Sequence, residues 1–333
     1  MTYKISARKK EELLAALSLQ MVTHTIDKNS NIKAFFFPQN EKIVSFRTHK
    51  QEIEVLGGNV VCEPFVLFGV SACDEAAIRV LDKVFLKEPV DAMYKTRREA
   101  AVIVTEACLT QDDTCFCTAF GLDPVSGAYG DVTITAVCDT IFWQVVTEKG
   151  AELTEKIKHL LTEVNECDIT NLAERRTAAV GDIKMPLVPH VAEALKSIGE
   201  EEMLALFNSD EWDELQRACL TCGTCTFICP TCHCYDIGDR RLGNGEVERC
   251  RTWDSCIYRD FTQMAHGNPR LAALPRFRQR YMHKLVYFMQ NNGMYACTGC
   301  GRCVAKCPVY INIVKVMLAF INARKRTEEA THV

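Results

Sequence analysis

The sequence predicts an α+β protein built from three parts, and three observations lead to this prediction. Strand-like and helix-like stretches alternate through residues 1–150, which is typical of an α/β domain. Residues 151–215 are acidic and have helical periodicity, which indicates a helical connector. Residues 216–333 are rich in cysteine and end in an amphipathic stretch, which predicts a second, mainly helical domain.

The elements of the first part follow from the spacing of its apolar residues. Apolar residues three or four positions apart predict helices over residues 7–20 and 75–86. Apolar runs rich in β-branched and aromatic residues predict strands over residues 31–38, 42–48, 65–72 and 100–107, and one or two more within 131–147. We therefore expect a sheet that is covered by helices.

The connector and the C-terminal part are predicted to be helical. Residues 150–217 hold 15 Asp/Glu against 7 Lys/Arg, and a face charged in this way is best explained as solvated. Helices are predicted over residues 151–166 and 191–207, with Pro186 and Pro189 between them. Helical periodicity returns in residues 275–292 and 312–326.

Composition excludes several classes of protein. The 39 Lys/Arg and 43 Asp/Glu give a formal net charge of −4, whereas a dedicated nucleic-acid binder needs a basic surface. No apolar run approaches the roughly 20 residues that span a bilayer, and the Lys-rich start lacks the apolar core of a secretion signal. We therefore expect a cytoplasmic protein. In a reducing compartment its 19 cysteines indicate metal ligands or redox groups.

Twelve of the cysteines lie between Cys219 and Cys307, and eight of these form a repeated motif. The motif reads C-x2-C-x2-C-x3-C-P, a known ligation pattern of bacterial ferredoxins. Its two copies are Cys219, Cys222, Cys225, Cys229 and Pro230, and Cys297, Cys300, Cys303, Cys307 and Pro308. Gly223 and Gly301 follow the second cysteine of each copy, where the chain must turn tightly.

This spacing predicts a helical ferredoxin-like domain with two [4Fe–4S] clusters. Three closely spaced cysteines can bind one cluster, and the cysteine before proline ligates the other cluster. A zinc ribbon is the alternative, but it gives no reason for a third cysteine or a Cys-Pro step. The predicted ligand sets are Cys219, Cys222, Cys225 and Cys307 for one cluster, and Cys297, Cys300, Cys303 and Cys229 for the other.

The 67 residues between Cys229 and Cys297 are too many for a compact ferredoxin, and part of them is basic. From Arg240 to Lys284 there are ten Lys/Arg against four Asp/Glu. These cations could offset the negative charge of the clusters, which lowers the cost of burying it. They could equally form an exposed face for an acidic partner. The sequence leaves both alternatives open.

Other cysteines could form further sites. Cys73 and Cys108 follow the ends of two predicted strands, and Cys115 and Cys117 lie in the loop after the second strand. Neighbouring strands would bring these four thiols to one edge of the sheet, which is the number that a third cluster needs. The alternative is four buried free thiols. Cys232, Cys234 and Cys256 could ligate a metal with another residue or merely line the first cluster.

Several segments resemble the iron–sulfur beta subunit of cytoplasmic nickel–iron (sulf)hydrogenases, and they are similar to the iron–sulfur subunit of anaerobic sulfite reductases. The segments are residues 68–86, 94–99, 108–117, 219–237, 253–267, 278–288 and 297–308. The resemblance implies an electron-transfer subunit of an anaerobic oxidoreductase complex. It also favours a third [4Fe–4S] cluster at Cys73, Cys108, Cys115 and Cys117.

The resemblance also implies partners. Electrons would pass between a subunit that binds a flavin and NAD(P)H and a catalytic subunit, which would be a nickel–iron hydrogenase, a heterodisulfide-reductase-like protein or a sulfite reductase. FAD and NAD(P) are expected only on a partner, since no nucleotide-binding glycine motif follows a strand here. Two other interpretations remain: the chain is the iron–sulfur subunit of an anaerobic sulfite reductase, or it reduces a disulfide or sulfur substrate itself.

Overall fold

The computed structural model describes residues 1–27, 30–49, 52–58, 60–183, 198–243 and 245–331. It is a mixed α+β structure, as predicted, and its strands form two sheets. The strands are β1 (Thr2–Ser6), β2 (Val22–Thr25), β3 (Asn40–His49), β4 (Glu52–Gly57), β5 (Phe65–Ser71), β6 (Ala101–Glu106), β7 (Val132–Val137), β8 (Thr140–Val145), β9 (Thr162–Glu163), β10 (Tyr235–Arg241) and β11 (Glu246–Trp253).

Helices lie between these strands along the chain and make up most of the regular secondary structure of the C-terminal part. They are α1 (Lys10–Gln20), α2 (Lys33–Phe36), α3 (Ala72–Phe85), α4 (Ala92–Ala100), α5 (Glu148–Ile157), α6 (Glu166–Asp182), α7 (Glu200–Phe207), α8 (Glu211–Gln216), α9 (Thr224–Phe227), α10 (Ala273–Met282), α11 (Phe288–Asn292), α12 (Arg302–Ala305) and α13 (Ile313–Thr331). A π-helical segment, His283–Tyr287, joins α10 to α11. Among the described helices, none combines the length and hydropathy that crossing a bilayer requires.

The larger sheet has seven strands in the order β2-β5-β6-β7-β8-β1-β9. The strands β2, β5, β6 and β7 are parallel, and the remaining pairings are antiparallel. Alternate residues of β5 belong to two hydrophobic cores, one on each face of the sheet. Val66 and Phe68 pack with α1 and α5, whereas Phe65 and Leu67 pack with α2, α3 and α4. Both faces are therefore covered by helices, as the sequence predicted.

The smaller sheet has four strands in the order β10-β11-β3-β4. The hairpin β10–β11 comes from the insertion between the two cysteine motifs, and β11 pairs with β3 from the first part of the chain. The insertion is therefore not only helical, so the prediction of a helical ferredoxin-like domain over residues 216–333 did not include this hairpin. The sequence did not predict this hairpin, because β10 is exposed along its whole length and lacks an apolar face.

Most predicted elements are confirmed, and two further predictions need correction. The strand predicted over residues 31–38 is wrong, because this segment contains the helix α2, with Phe36 and Phe37 fully buried. A short apolar run does not distinguish a strand from a buried helical turn. The helix predicted over 151–166 ends at Ile157, and α6 begins after Asn165, which forms a capping box with Asp168.

The C-terminal predictions over residues 275–292 and 312–326 are confirmed by α10, the π-helical segment, α11 and α13. Of the helix predicted over 191–207, residues 198–207 are described and contain α7. Residues 191–197, Pro186 and Pro189 lie outside the described residues. Trp212, Phe277, Leu285, Met317 and Phe320 lie in one core that holds α8, α10 and α13 together.

Candidate metal centre

Two cysteines of the first part lie just past the ends of neighbouring parallel strands. β5 ends at Ser71, whose hydroxyl caps α3, and Cys73 lies in the first turn of that helix. β6 ends at Glu106, and the backbone N–H of Cys108 donates to the Pro124 carbonyl at 2.8 Å. Because β5 and β6 are parallel neighbours, both thiols lie at one edge of the sheet.

The structure brings together all four cysteines that the sequence assigned to a third cluster. Cys73, Cys108, Cys115 and Cys117 line one cavity of about 130 Å³. Burial raises the pKa of the Cys117 thiol to about 12, and the neighbouring Cys108 and Cys115 add to this shift. Because thiols bind metal as thiolates, loading this site with iron would release protons.

Three cysteines of the first motif and one of the second line another cavity, of about 30 Å³. They are Cys219, Cys222, Cys225 and Cys307. Gly223 has the left-handed φ of +74° that the tight turn requires, and a Cβ there would lie 2.6 Å from the Tyr258 ring. The last cysteine of the second motif therefore lies with the first motif.

The middle cysteine group consists of Cys229, Cys297, Cys300 and Cys303. Burial raises the pKa of each of the last three thiols, and the nearby Cys229 adds to the shift in every case. Cys300 also lines the cavity of Cys73, and Cys303 also lines the cavity of Cys219. The middle group therefore lies between the two outer groups.

The loop of the middle group touches the loop of Cys115 and Cys117 at backbone distance. The Phe116 N–H donates to the Gly299 carbonyl at 2.9 Å. A Cβ on Gly299 would lie 2.5 Å from the Cys117 Cα, and one on Gly301 would lie 2.3 Å from the Thr114 carbonyl oxygen. Only glycine fits at these two positions, so the two cysteine groups are held side by side.

A buried ion pair joins the middle cysteine group to the helix α3, which carries Cys73. Arg302, which lies between Cys300 and Cys303, donates to both carboxylate oxygens of Asp74 at 2.5 and 2.6 Å. Asp74 is in the first turn of α3, and its side chain is only 1% exposed. A two-pronged arginine–carboxylate contact fixes orientation as well as distance.

We expect Arg302→Gln to destabilise the protein by about 3 kcal/mol or more, because it leaves the buried Asp74 carboxylate without its cation. The matched control is Lys95→Gln, which breaks an exposed pair with Glu99 within α4 and should change stability by less than about 1 kcal/mol. Anaerobic denaturant unfolding measures both. Equal, small effects for the two variants would show that the Arg302 contact does not hold these regions together.

Sequence reasoning noted the basic stretch but did not identify its buried cations. Arg276, Arg280 and Lys284 are spaced four residues apart and are 7%, 2% and 3% exposed. The four-residue spacing places the three cations on one helix face, and this was the sequence signal from which the buried cluster could have been predicted. Lys284 Nζ donates to Cys229 Sγ at 3.2 Å. Burial disfavours its charge, but Cys229 and Cys232 raise the pKa of Lys284 above the usual value overall.

The contacts of the basic residues between Arg240 and Lys284 distinguish the two interpretations of this stretch. Arg280 donates through Nη2 to the Cys225 carbonyl at 3.0 Å, so it lies among the cysteines, as Lys284 does. Two exposed arginines of the hairpin are instead paired with carboxylates, Arg240 with Glu248 and Arg249 with Asp239. These contacts favour the first interpretation, in which the buried cations offset charge at the cysteine groups.

The remaining cysteines fall into two sets. Cys232, Cys234 and Cys256 line one small cavity together with His233, His283 and Lys284. Cys138 and Cys167 are exposed, and Cys62 and Cys250 are partly exposed. In the described ranges, no three His, Cys, Asp or Glu side chains converge on the position of a single metal ion. The ligands of a [4Fe–4S] cluster bind four different irons and need not converge in that way.

The groups of cysteines that line common cavities are the donor set that an iron–sulfur cluster requires. Residues 218–311 match the 4Fe-4S dicluster domain family. The chain is therefore an iron–sulfur protein of the electron-transfer class.

A second comparison gives the particular family. The chain is 35% identical over 287 residues to Sulfhydrogenase 2 subunit beta of Pyrococcus furiosus, and the match covers 86% of this chain and 81% of that protein. The chain belongs to the family of iron–sulfur beta subunits of sulfhydrogenases. The resemblance found in the sequence is thereby confirmed.

Proposed function

We propose that this chain relays electrons between a subunit that binds a flavin and NAD(P)H and a catalytic subunit. The observation that supports this most is the order of the cysteine groups. In the middle group, Cys300 lines the cavity of Cys73 and Cys303 lines the cavity of Cys219. Iron–sulfur clusters, when bound, accept and donate one electron at a time. Three adjacent groups suit such a relay.

The proposed relay has three [4Fe–4S] sites. Their ligands are Cys73, Cys108, Cys115 and Cys117 for the first, Cys297, Cys300, Cys303 and Cys229 for the second, and Cys219, Cys222, Cys225 and Cys307 for the third. The first site belongs to the proposed domain of residues 1–150, and the other two belong to that of residues 216–333, with residues 151–215 as connector.

The residues around the sites would stabilise their charge. Lys284 lies 3.2 Å from Cys229 Sγ, and the Ile311 N–H donates to Cys307 Sγ at 3.1 Å. Cations and N–H donors directed at thiolates favour the reduced, more negative form of a site and so raise its potential. Arg302 and the two glycines of the middle loop hold neighbouring groups together.

Partners are proposed from the same family membership. The relative is named as a subunit of a sulfhydrogenase, and a subunit implies other chains. We propose that FAD and NAD(P) bind on one partner and that a nickel–iron hydrogenase subunit is the other. Among the described cysteines of the three groups, Cys222 alone is exposed, so this end of the relay is accessible for electron exchange with a partner.

The test is an iron count on protein prepared without oxygen. We expect at least about twelve irons per chain, three clusters of four, and reduction by dithionite. The variant Cys108→Ser/Cys117→Ser should lose about four of them, because it removes two ligands of one site. Cys138→Ser, an exposed cysteine away from the cavities, is the control and should lose none. Unchanged iron in the double variant would contradict a site at Cys73, Cys108, Cys115 and Cys117, and iron-free protein would contradict the relay itself.

A further inference from the structure

Three cysteines outside the proposed relay are brought together by the hairpin β10–β11. Cys232 and Cys234 precede β10, and Cys256 follows β11. The strands pair from Tyr235 opposite Trp253, and the Asp254 N–H extends the ladder by donating to the Cys234 carbonyl at 3.0 Å. The hairpin therefore returns the chain to its starting point and places Cys256 beside Cys234, although 21 residues separate them in the sequence.

The three thiols share one site. Cys232, Cys234 and Cys256 line the same cavity, and Cys234 Sγ is within hydrogen-bonding reach of both the thiol and the backbone N–H of Cys256. Cys232 in turn lies beside Cys229, a ligand of the proposed middle site. The three thiols thus form a group of their own at the side of the relay.

In the part of the chain that the structure describes, no carboxylate pairs with the buried cations around this group. Lys33, Arg280 and Lys284 are 2%, 2% and 3% exposed, and their polar contacts are to carbonyls, hydroxyls and sulfur. Cys225 and Cys229 of the relay account for Arg280 and Lys284. Lys33 is left: burial lowers its pKa, and the nearby sulfurs of Cys232, Cys229 and Cys234 oppose that shift and favour its charge. Buried cations are stable only where anions compensate them.

A further observation concerns Arg280. Its Nε is a buried donor that has no hydrogen-bond partner among the described residues, while its Nη1 lies 3.5 Å from Cys232 Sγ. A buried N–H group without an acceptor costs about 1–3 kcal/mol, so an acceptor is expected at this place. Sulfide and thiolate sulfurs of a metal cluster are acceptors of the required charge.

We propose that Cys232, Cys234 and Cys256 hold a further iron–sulfur cluster, which is bound by three thiolates and has at least one non-cysteine ligand if a fourth iron is present. The proposal extends the relay proposed above by a site at its side. In the described part of the chain no fourth cysteine lines this cavity, whereas His233 and His283 do. Replacing a thiolate by a neutral ligand raises the potential, so this cluster should be reduced before the others.

The experiment uses the full chain prepared without oxygen, with iron, zinc and acid-labile sulfide measured per chain and an electron paramagnetic resonance titration with dithionite. The variant is Cys232→Ser/Cys234→Ser/Cys256→Ser, and the control is Cys250→Ser, a cysteine in β11 that does not line the cavity. We expect the triple variant to lose three or four irons and the signal that is reduced first, while about twelve irons and the other signals remain.

A second measurement on the unmodified protein keeps the proposal testable if the triple variant fails to fold. Alkylation followed by mass spectrometry should find Cys232, Cys234 and Cys256 protected until iron is chelated, whereas the exposed Cys138 and Cys167 react at once. A Cys234–Cys256 disulfide, bound zinc, or immediate alkylation would each overturn the proposal. If the unmodified protein shows no iron-dependent signals at all, that result would instead contradict the proposed relay.

Discussion

Lys284→Met is expected to destabilise the middle cysteine group strongly. It removes the cation that lies 3.2 Å from Cys229 Sγ and 2.8 Å from the Thr231 hydroxyl and the Ala296 carbonyl. Removing one member of a buried charge pair costs about 3–5 kcal/mol. We expect a loss of that size in the iron-loaded protein, measured by anaerobic denaturant unfolding.

The same variant should lower the midpoint potential of the site that Cys229 ligates. A nearby positive charge favours the reduced form, and each tenfold change in a one-electron equilibrium corresponds to about 59 mV. We expect a decrease on the order of 60 mV or more in a spectroscopic redox titration. The control is Arg278→Met in the same helix, where the guanidinium contacts the Phe207 carbonyl and ring instead of a thiol. Equal potentials in the two variants would contradict the electrostatic role of Lys284.

Gly301→Ala should have the second large effect, because two separate costs add. The φ of Gly301 is +73°, which is strained for alanine by about 1–2 kcal/mol. In addition, the new Cβ would lie 2.3 Å from the Thr114 carbonyl oxygen, so the backbone of one loop must move. Overpacking of this kind costs about 1–3 kcal/mol more. We expect a loss of about 3 kcal/mol in stability and less iron in the two adjoining sites.

Gly293→Ala is the matched control for this prediction. Gly293 has nearly the same φ, +70°, but no atom of the described residues lies within 4 Å of an added Cβ. It should therefore show the backbone strain alone, with iron content unchanged. If Gly301→Ala and Gly293→Ala behave alike in unfolding and in iron content, the close approach of the two loops is not what holds the cysteine groups together.

Local sequence patterns predicted many of the elements but not the places where distant segments meet. β5, α3 and β6 were predicted because long apolar runs and helical spacing reflect burial directly. The helix α2 was mistaken for a strand because four residues carry too little periodicity. The strands β10 and β11 were missed because β10 has no buried face, and its pairing with β11 depends on contacts with β3.

For the cysteine groups, too, local patterns identified the residues, whereas contacts between distant segments were harder to predict. The repeated motif indicated eight ligands from spacing alone, since a cluster imposes its geometry on a short loop. The grouping of Cys73 with Cys117 needed an inference about neighbouring strand ends, and the structure places these thiols around one cavity. The buried cations Lys33, Arg280 and Lys284 could not be assigned to sites from the sequence, because burial is a property of the packed chain. The boundaries at residues 150 and 215 remain predictions.

By itself the sequence determined the chemistry of this protein: repeated thiols at fixed spacing specify iron–sulfur ligation, because ligands within a loop are set by local chain geometry. Only the tertiary structure decided how the groups are arranged. Cys300 lines the cavity of one outer group and Cys303 that of the other, and Lys33 and Arg280 meet beside Cys232, because segments up to about 250 residues apart pack against each other. Spacing is encoded locally, whereas adjacency and burial arise from the packing of the whole chain.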